Sequence, residues 1–181
     1  MAGNSMLVFL IFLGVIFIGS FINIPLGRRR LVEVEESRFF GLVRRKRLQA
    51  QGLSINVGGA VVPLLLVLYL LPKVPLRETL LASALMIIIC YALAKFIPGK
   101  GIAIPLLFPA FFATIFALIL AFESASSVAF ISGVLGVLLG GDVLHLPRVM
   151  REGRGVLSIG GAGVFDGIFL VALIAAFLAG S

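Results

Sequence analysis

Six apolar runs divide the chain, and about 20 such residues are what a helix needs to cross the hydrocarbon core of a bilayer. They read as residues 7–24, 55–71, 79–94, 102–122, 128–146 and 157–179. The composition leaves little room for a water-soluble alternative. Hydrophobic residues make up 61% of the 181 and charged residues 13%, and the mean hydropathy is +1.21. Water cannot cover that much apolar surface, so lipid is the expected solvent for most of the chain. No basic residue precedes the first run and arginines follow it, which argues against a cleaved signal peptide.

The charges order the runs. Between runs one and two stand Arg28, Arg29, Arg30, Arg38, Arg44, Arg45, Lys46 and Arg47. Lys95 and Lys100 follow run three, and Arg148, Arg151 and Arg154 follow run five. Only Lys73 and Arg77 fall in the even-numbered connections. The positive-inside bias therefore puts the odd connections in the cytoplasm and both termini outside. This distribution explains the net charge of +7 without a nucleic-acid partner. Within the first connection, residues 31–50 combine Phe39, Phe40, Leu42 and Val43 with a basic cluster. That mixture predicts an amphipathic helix on the inner leaflet, serving as an orientation anchor or binding lipid headgroups or a partner.

The chain has two aspartates, Asp142 and Asp166, and both fall inside apolar runs. A charged group at the bilayer centre costs roughly 3 kcal/mol, so such residues pair, line a cavity or act. Asp142 lies about 6 Å from the inner end of run five and Asp166 about 14 Å along run six, at the helical rise per residue. Runs five and six are expected to be antiparallel neighbours, and the glycines from Gly160 to Gly163 allow irregular backbone between the acids. Two carboxylates in contact share a proton. An aspartic protease uses that pairing: one carboxylate activates water and the other polarises the peptide carbonyl.

The order of these features resembles the presenilin, signal-peptide-peptidase and prepilin-peptidase class of intramembrane aspartic proteases. Members carry Gly-x-Gly-Asp at the second site. Here Gly161-Ala162-Gly163 is followed by Val164 and Phe165 before Asp166, and Gly141 stands where presenilins have tyrosine before the first acid. The resemblance implies catalysis by Asp142 and Asp166, with Gly161 and Gly163 shaping the backbone beside them. The presenilin class also carries Pro-Ala-Leu at the cytoplasmic start of a helix; AIPLLFPAFF of run four offers Pro105, or Pro109 with Ala110, for the same substrate-positioning part. A second likeness covers most of the chain: INVGGAVVPLLLVLYLLP, GVLGVLLGGDVLHLP and SIGGAGVFDGIFL look like an uncharacterised prokaryotic multi-pass membrane family, which implies a shared fold and no particular activity.

Other residues have plainer readings. His145, one helical turn after Asp142, is expected to hydrogen-bond nearby or support the acid; no metal or cofactor is expected, because no ligand-spacing motif accompanies it. Cys90 reads as a small buried hydrophobe. Gly58-Gly59 and Pro63 predict a broken or kinked helix, and Gly136-x-x-x-Gly140 a close helix contact. No HExxH and no Gly-x-Ser-x-Gly occurs, which sets aside zinc and serine intramembrane proteases.

The expectation is a single all-α membrane domain over residues 1–181, in a prokaryotic plasma membrane. Its function is expected to be aspartic proteolysis of a single-span membrane protein or peptide. The alternatives are a small proton- or cation-coupled transporter or channel using the same acids, or a membrane scaffold without catalysis. A homo-oligomer fits any of these.

Overall fold

The computed structural model describes residues 14–27, 30–38, 43–97, 101–105, 107–152 and 156–161, and the single positions 168, 173, 174 and 177. The chain is mostly helical. Helix α1 covers residues 14–20. After the sheet strands described below come a π-helical turn at Val57–Val61, α2 (Val62–Leu70), α3 (Leu76–Leu93), α4 (Leu107–Leu120), α5 (Ala125–Leu135), a second π-helical segment at Gly136–Val143 and α6 (Leu146–Glu152). Among the described residues two helical stretches are long and apolar enough to cross a membrane, Leu76–Leu93 and the continuous Phe122–Met150. In the second, 67% of the most apolar window is buried, against 28% in the first, so Phe122–Met150 is the centre of the bundle and α3 lies towards its rim. Val57–Lys73 and Leu107–Leu120 are apolar but shorter.

Side-chain size is sorted against the habit of water-soluble domains. Ala82, Ala110, Ala113, Ala117 and Ala129 are fully buried, while Leu107, Phe108, Phe111 and Ile119 of α4 and Leu65 and Leu68 of α2 face outward. Small residues inside let helices approach closely, and large apolar residues outside suit a hydrocarbon surround. Gly136 and Gly140 show the close approach. A Cβ at Gly136 would stand 2.7 Å from the Met86 Cβ, and one at Gly140 would run into the Ile87 carbonyl oxygen. Those two glycines seat the second π-helical segment directly on α3.

The expected all-α architecture needs correction, because six strands accompany the helices among the described residues. β1 (Asn23–Pro25), β2 (Arg30–Arg38), β3 (Val43–Asn56) and β6 (Val156–Ile159) form one sheet, and β4 (Lys95–Ile97) pairs with β5 (Gly101–Ala103). The predicted amphipathic helix within 31–50 is instead an antiparallel hairpin of β2 and β3, in register from Arg30↔Gln51 to Arg38↔Val43. The physical reason is a period of two. Val32 and Val34 alternate with Glu33 and Glu35, Leu48 and Ala50 with Gln49 and Gln51, and, after a change of phase at Gly52, Leu53 and Ile55 with Ser54 and Asn56, which suits a pleated strand. The strands also trim the expected spans. β1 takes the last residues of run one, and β6, parallel to β3 through Leu53↔Leu157 and Ile55↔Ile159, takes the first residues of run six.

The sheet joins the helices at a buried polar node. Asn56 is 1% exposed. Its Nδ2 donates to the Ser20 carbonyl (2.7 Å) and to Asn23 Oδ1 (3.1 Å), and its Oδ1 accepts from the Gly59 N–H (2.7 Å). Ser158 Oγ of β6 donates to the same Asn23 Oδ1 at 2.6 Å. One side chain thus ties α1, β1, the π-helical turn and, through Asn23, β6. Asn56→Ala leaves the Ser20 carbonyl and the Gly59 N–H without these partners. Unmade buried hydrogen bonds cost about 1–3 kcal/mol each, so a loss of roughly 3 kcal/mol is expected. Asn56→Asp keeps an acceptor for Gly59 but turns oxygen onto two other oxygens, and is expected to be no better. Unfolding of the purified chain in detergent by denaturing surfactant measures both. A shift below about 0.5 kcal/mol, the size of an ordinary surface substitution, would show that the node does not hold the fold.

Candidate active site

Asp142 sits near the end of the π-helical segment Gly136–Val143, where Leu144 N–H bonds back to the Leu139 carbonyl at 2.9 Å. The wide π turn follows a glycine-rich stretch, Gly136-Val-Leu-Leu-Gly140-Gly141, and such turns mark functional positions in helices more often than chance. Asp142 is half-buried. Its Oδ2 accepts the Gly160 N–H at 2.8 Å. Gly160 and Gly161 both have φ of +83°, a left-handed backbone that side-chain-bearing residues disfavour. A Cβ at Gly160 would stand 2.7 Å from the Ala60 Cβ and 2.8 Å from its nitrogen. Gly160 is thus held between the first π-helical turn on one side and the Asp142 carboxylate on the other.

The sequence-derived candidates divide as follows. Gly161 follows Gly160 directly and lies beside the bond to Asp142. Asp166 and Gly163 lie outside the described residues. Pro105 is exposed, and its neighbour Ile104 lays its side chain over Gly141, where an added Cβ would overlap Ile104 Cδ1. The start of run four therefore reaches the residue next to Asp142. Pro109 and Ala110 are buried inside α4.

His145 does not contact the acid by any hydrogen bond described. Its Nδ1 lies 3.1 Å from the Gly140 carbonyl oxygen, and its ring packs on Tyr91 of α3 with centroids 4.6 Å apart. It pins the end of the π segment to α3. Among the described residues no group of His, Cys, Asp or Glu could hold a metal ion. Cys90 is free and buried.

Four contributors escaped the sequence reading of the site: Tyr91, Ile104, Asn56 and the Gly160 amide as a donor. Nothing in a single sequence marks the first two, which are apolar-run residues like their neighbours. Asn56 carried a signal, a lone amide residue beside Gly58-Gly59 at the head of an apolar run.

One protein-family model, described as "Protein of unknown function (DUF1614)", matches residues 17–178. No curated protein and no solved structure matches the chain.

Proposed function

The chain belongs to the DUF1614 family over most of its length, and on that premise we propose that it is an intramembrane aspartic protease-like protein in which Asp142 and Asp166 form the catalytic pair. The observation that carries the reading is the hydrogen bond from the Gly160 N–H to Asp142 Oδ2. It ties the helix bearing the first acid to the glycine segment that leads to the second. Asp166 follows Gly160 by six residues, a reach of at most about 20 Å extended and about 9 Å if helical. The contact of Ile104 with Gly141 adds support for Pro105 as a residue that positions substrate.

In this reading one carboxylate takes a proton from water as its oxygen attacks the scissile carbonyl carbon. The other, protonated, donates to the carbonyl oxygen. Collapse of the resulting diol breaks the C–N bond, and the leaving nitrogen takes up a proton. Gly160 is taken up between Ala60 and Asp142, and the positive φ of the half-buried Gly161 leaves bare backbone next to it, where an extended substrate can come close. The fuller arrangement proposed is six spans, termini outside, the acids towards the cytoplasmic side of a prokaryotic plasma membrane, and a single-span protein or peptide as substrate. No cofactor enters the chemistry.

The test is cleavage of a panel of single-span reporters by the full chain in liposomes. A product cut within the membrane segment is expected, blocked by a hydroxyl-containing peptide analogue of the diol and lost in Asp166→Asn. Absence of any cleavage across the panel, or cleavage that survives Asp166→Asn, sinks the proposal. A second reading has one observation in its favour. The Gly160 bond alone gives Asp142 a structural task, that of holding β6 to the bundle, and a non-catalytic scaffold needs no more than that.

A further inference from the structure

Asp142 stands after two glycines in succession, Gly140 and Gly141. No other pair of residues leaves a backbone so free, so the direction of the acid must be fixed by contacts made to that pair from outside. Three contacts among the described residues do so. Gly140 lies against α3, where a Cβ would meet the Ile87 carbonyl oxygen and the Cys90 Cβ. Gly141 lies under the Ile104 side chain. The third contact is made by His145.

In the π-helical ladder the Leu144 N–H bonds the Leu139 carbonyl at 2.9 Å. The next carbonyl in line is that of Gly140, and the main-chain N–H of His145 would take it if the π-helix went on for one more residue. The π-helix stops at Val143. The His145 side chain takes the carbonyl in place of its own main chain, with Nδ1 at 3.1 Å from the oxygen. A carbonyl oxygen only accepts, so Nδ1 carries the proton, and in a neutral ring Nε2 is the bare nitrogen. The His145 residue is only 9% exposed. Its ring is stacked on Tyr91 of α3, and its carbonyl accepts the Val149 N–H of α6 at 3.0 Å. His145 is thus held by α3 and α6, and it holds the glycine pair that lies between them.

We propose that His145 is the positioning residue of Asp142: its Nδ1–H, bonded to the Gly140 carbonyl, fixes the glycine pair so that the carboxylate faces the Gly160 N–H. The consequence for cleavage rests on Asp142 being one of a catalytic pair, but the placing of the carboxylate can be read without substrate. A ring that only filled space beside Tyr91 would be replaced as well by leucine. A ring that serves as a donor is replaced by asparagine, whose Nδ2 falls where histidine has Nδ1.

The chain has two aspartates and one histidine, so labelling by residue type gives spectra simple enough to read. In the full chain reconstituted in lipid, aspartate labelled with carbon-13 at Cγ gives two carboxyl signals, and Asp142→Asn assigns them. The Asp142 signal is expected to move in His145→Leu and to stay near its native position in His145→Asn. Both variants lose the ring's own effect on nearby signals, so the difference between them reports the donor alone. In the cleavage assay, kcat is expected to fall about a hundredfold in His145→Leu with KM little changed, as for a misplaced reacting group, and to recover in His145→Asn. Nitrogen-15 labelling of the histidine in the unsubstituted chain shows which ring nitrogen holds the proton, and Nδ1 is expected; that measurement stands even if the leucine variant folds poorly. A bare Nδ1 overturns the proposal. So does an Asp142 signal that stays in place in His145→Leu, or one that moves as far in His145→Asn. If the carboxyl signals behave as expected but the unsubstituted chain cleaves no reporter, His145 still positions Asp142 and it is the protease reading that falls.

Discussion

Asp142→Asn is expected to leave the chain folded and to abolish cleavage, whereas Asp142→Ala loses both activity and part of its stability. The two variants separate the roles of one side chain. The amide oxygen of asparagine can accept the Gly160 N–H where Oδ2 now does, at 2.8 Å; the change from a carboxylate to a neutral acceptor costs about 1 kcal/mol or less. Alanine offers no acceptor and leaves a buried donor unpaired, at about 1–3 kcal/mol. Catalysis responds differently. An amide can neither take the proton from water nor share one with a second acid, and loss of one member of a co-operating set lowers turnover by about 10⁴-fold or more. Cleavage assays and surfactant unfolding on the same preparations read the two effects apart. If Asp142→Asn retains cleavage, Asp142 is only a backbone acceptor and not a member of a catalytic pair.

Gly58→Ala is expected to be the most damaging change outside the acids, lowering stability by about 3 kcal/mol or more, at the upper end for overpacked cores. An added Cβ would fall on the Ile16 carbonyl oxygen and the Ser20 nitrogen, and within 2.7 Å of Ser20 Oγ. Two of those atoms are backbone, so no rotamer change makes room. From the other side, a Cβ at Gly19 would stand 2.9 Å from the Gly58 nitrogen. α1 and the first π-helical turn are in backbone contact there, and a methyl group forces them apart. The Asn56 bond to the Ser20 carbonyl would go with them. Gly14→Ala is the matched control, because a Cβ there meets nothing within 4 Å, and alanine is the better helix former. Similar unfolding of the two variants would mean that α1 is not seated on Gly58.

What could be read in the chain beforehand follows from how the signals are made. Long apolar runs announce helices, and α2 to α5 fall where runs two to five were expected. Small residues at a spacing of four announce close contacts, and Gly136 and Gly140 make one with α3. The strand character of the hairpin is present in its period. Val32-Glu33-Val34-Glu35 and Leu53-Ser54-Ile55-Asn56 alternate as a strand does, but the mixture of Phe39, Phe40 and arginines is equally the composition of an amphipathic helix. The sheet's long-range partner β6 was not legible. Val156 to Ile159 continues into apolar residues, and nothing local tells an extended Leu-Ser-Ile from the start of a helix. The π-helical segments are equally silent, since one extra residue per turn leaves no compositional trace beyond the glycines. At the site, the types and order of Asp142, Gly160, Gly161 and Asp166 could be read, but the Gly160 N–H bond belongs to the fold.

The parallel pairing of β3 with β6 sets the order of events during synthesis. Its partners are separated by about a hundred residues, so this contact closes a loop holding most of the helices and is costly to form early. At roughly 5–20 residues per second of translation, the edge of β3 at Gly52 to Ile55 waits about 5–20 s for its neighbour. Through that interval the Asn56 node holds α1 and β1 but lacks Ser158, and Asp142, which precedes Gly160 by 18 residues, joins only near its end. A nascent chain thus has α1 to α6 laid down before β6 emerges, and arrival of β6 completes the described sheet and brings the Gly160 amide to Asp142 together.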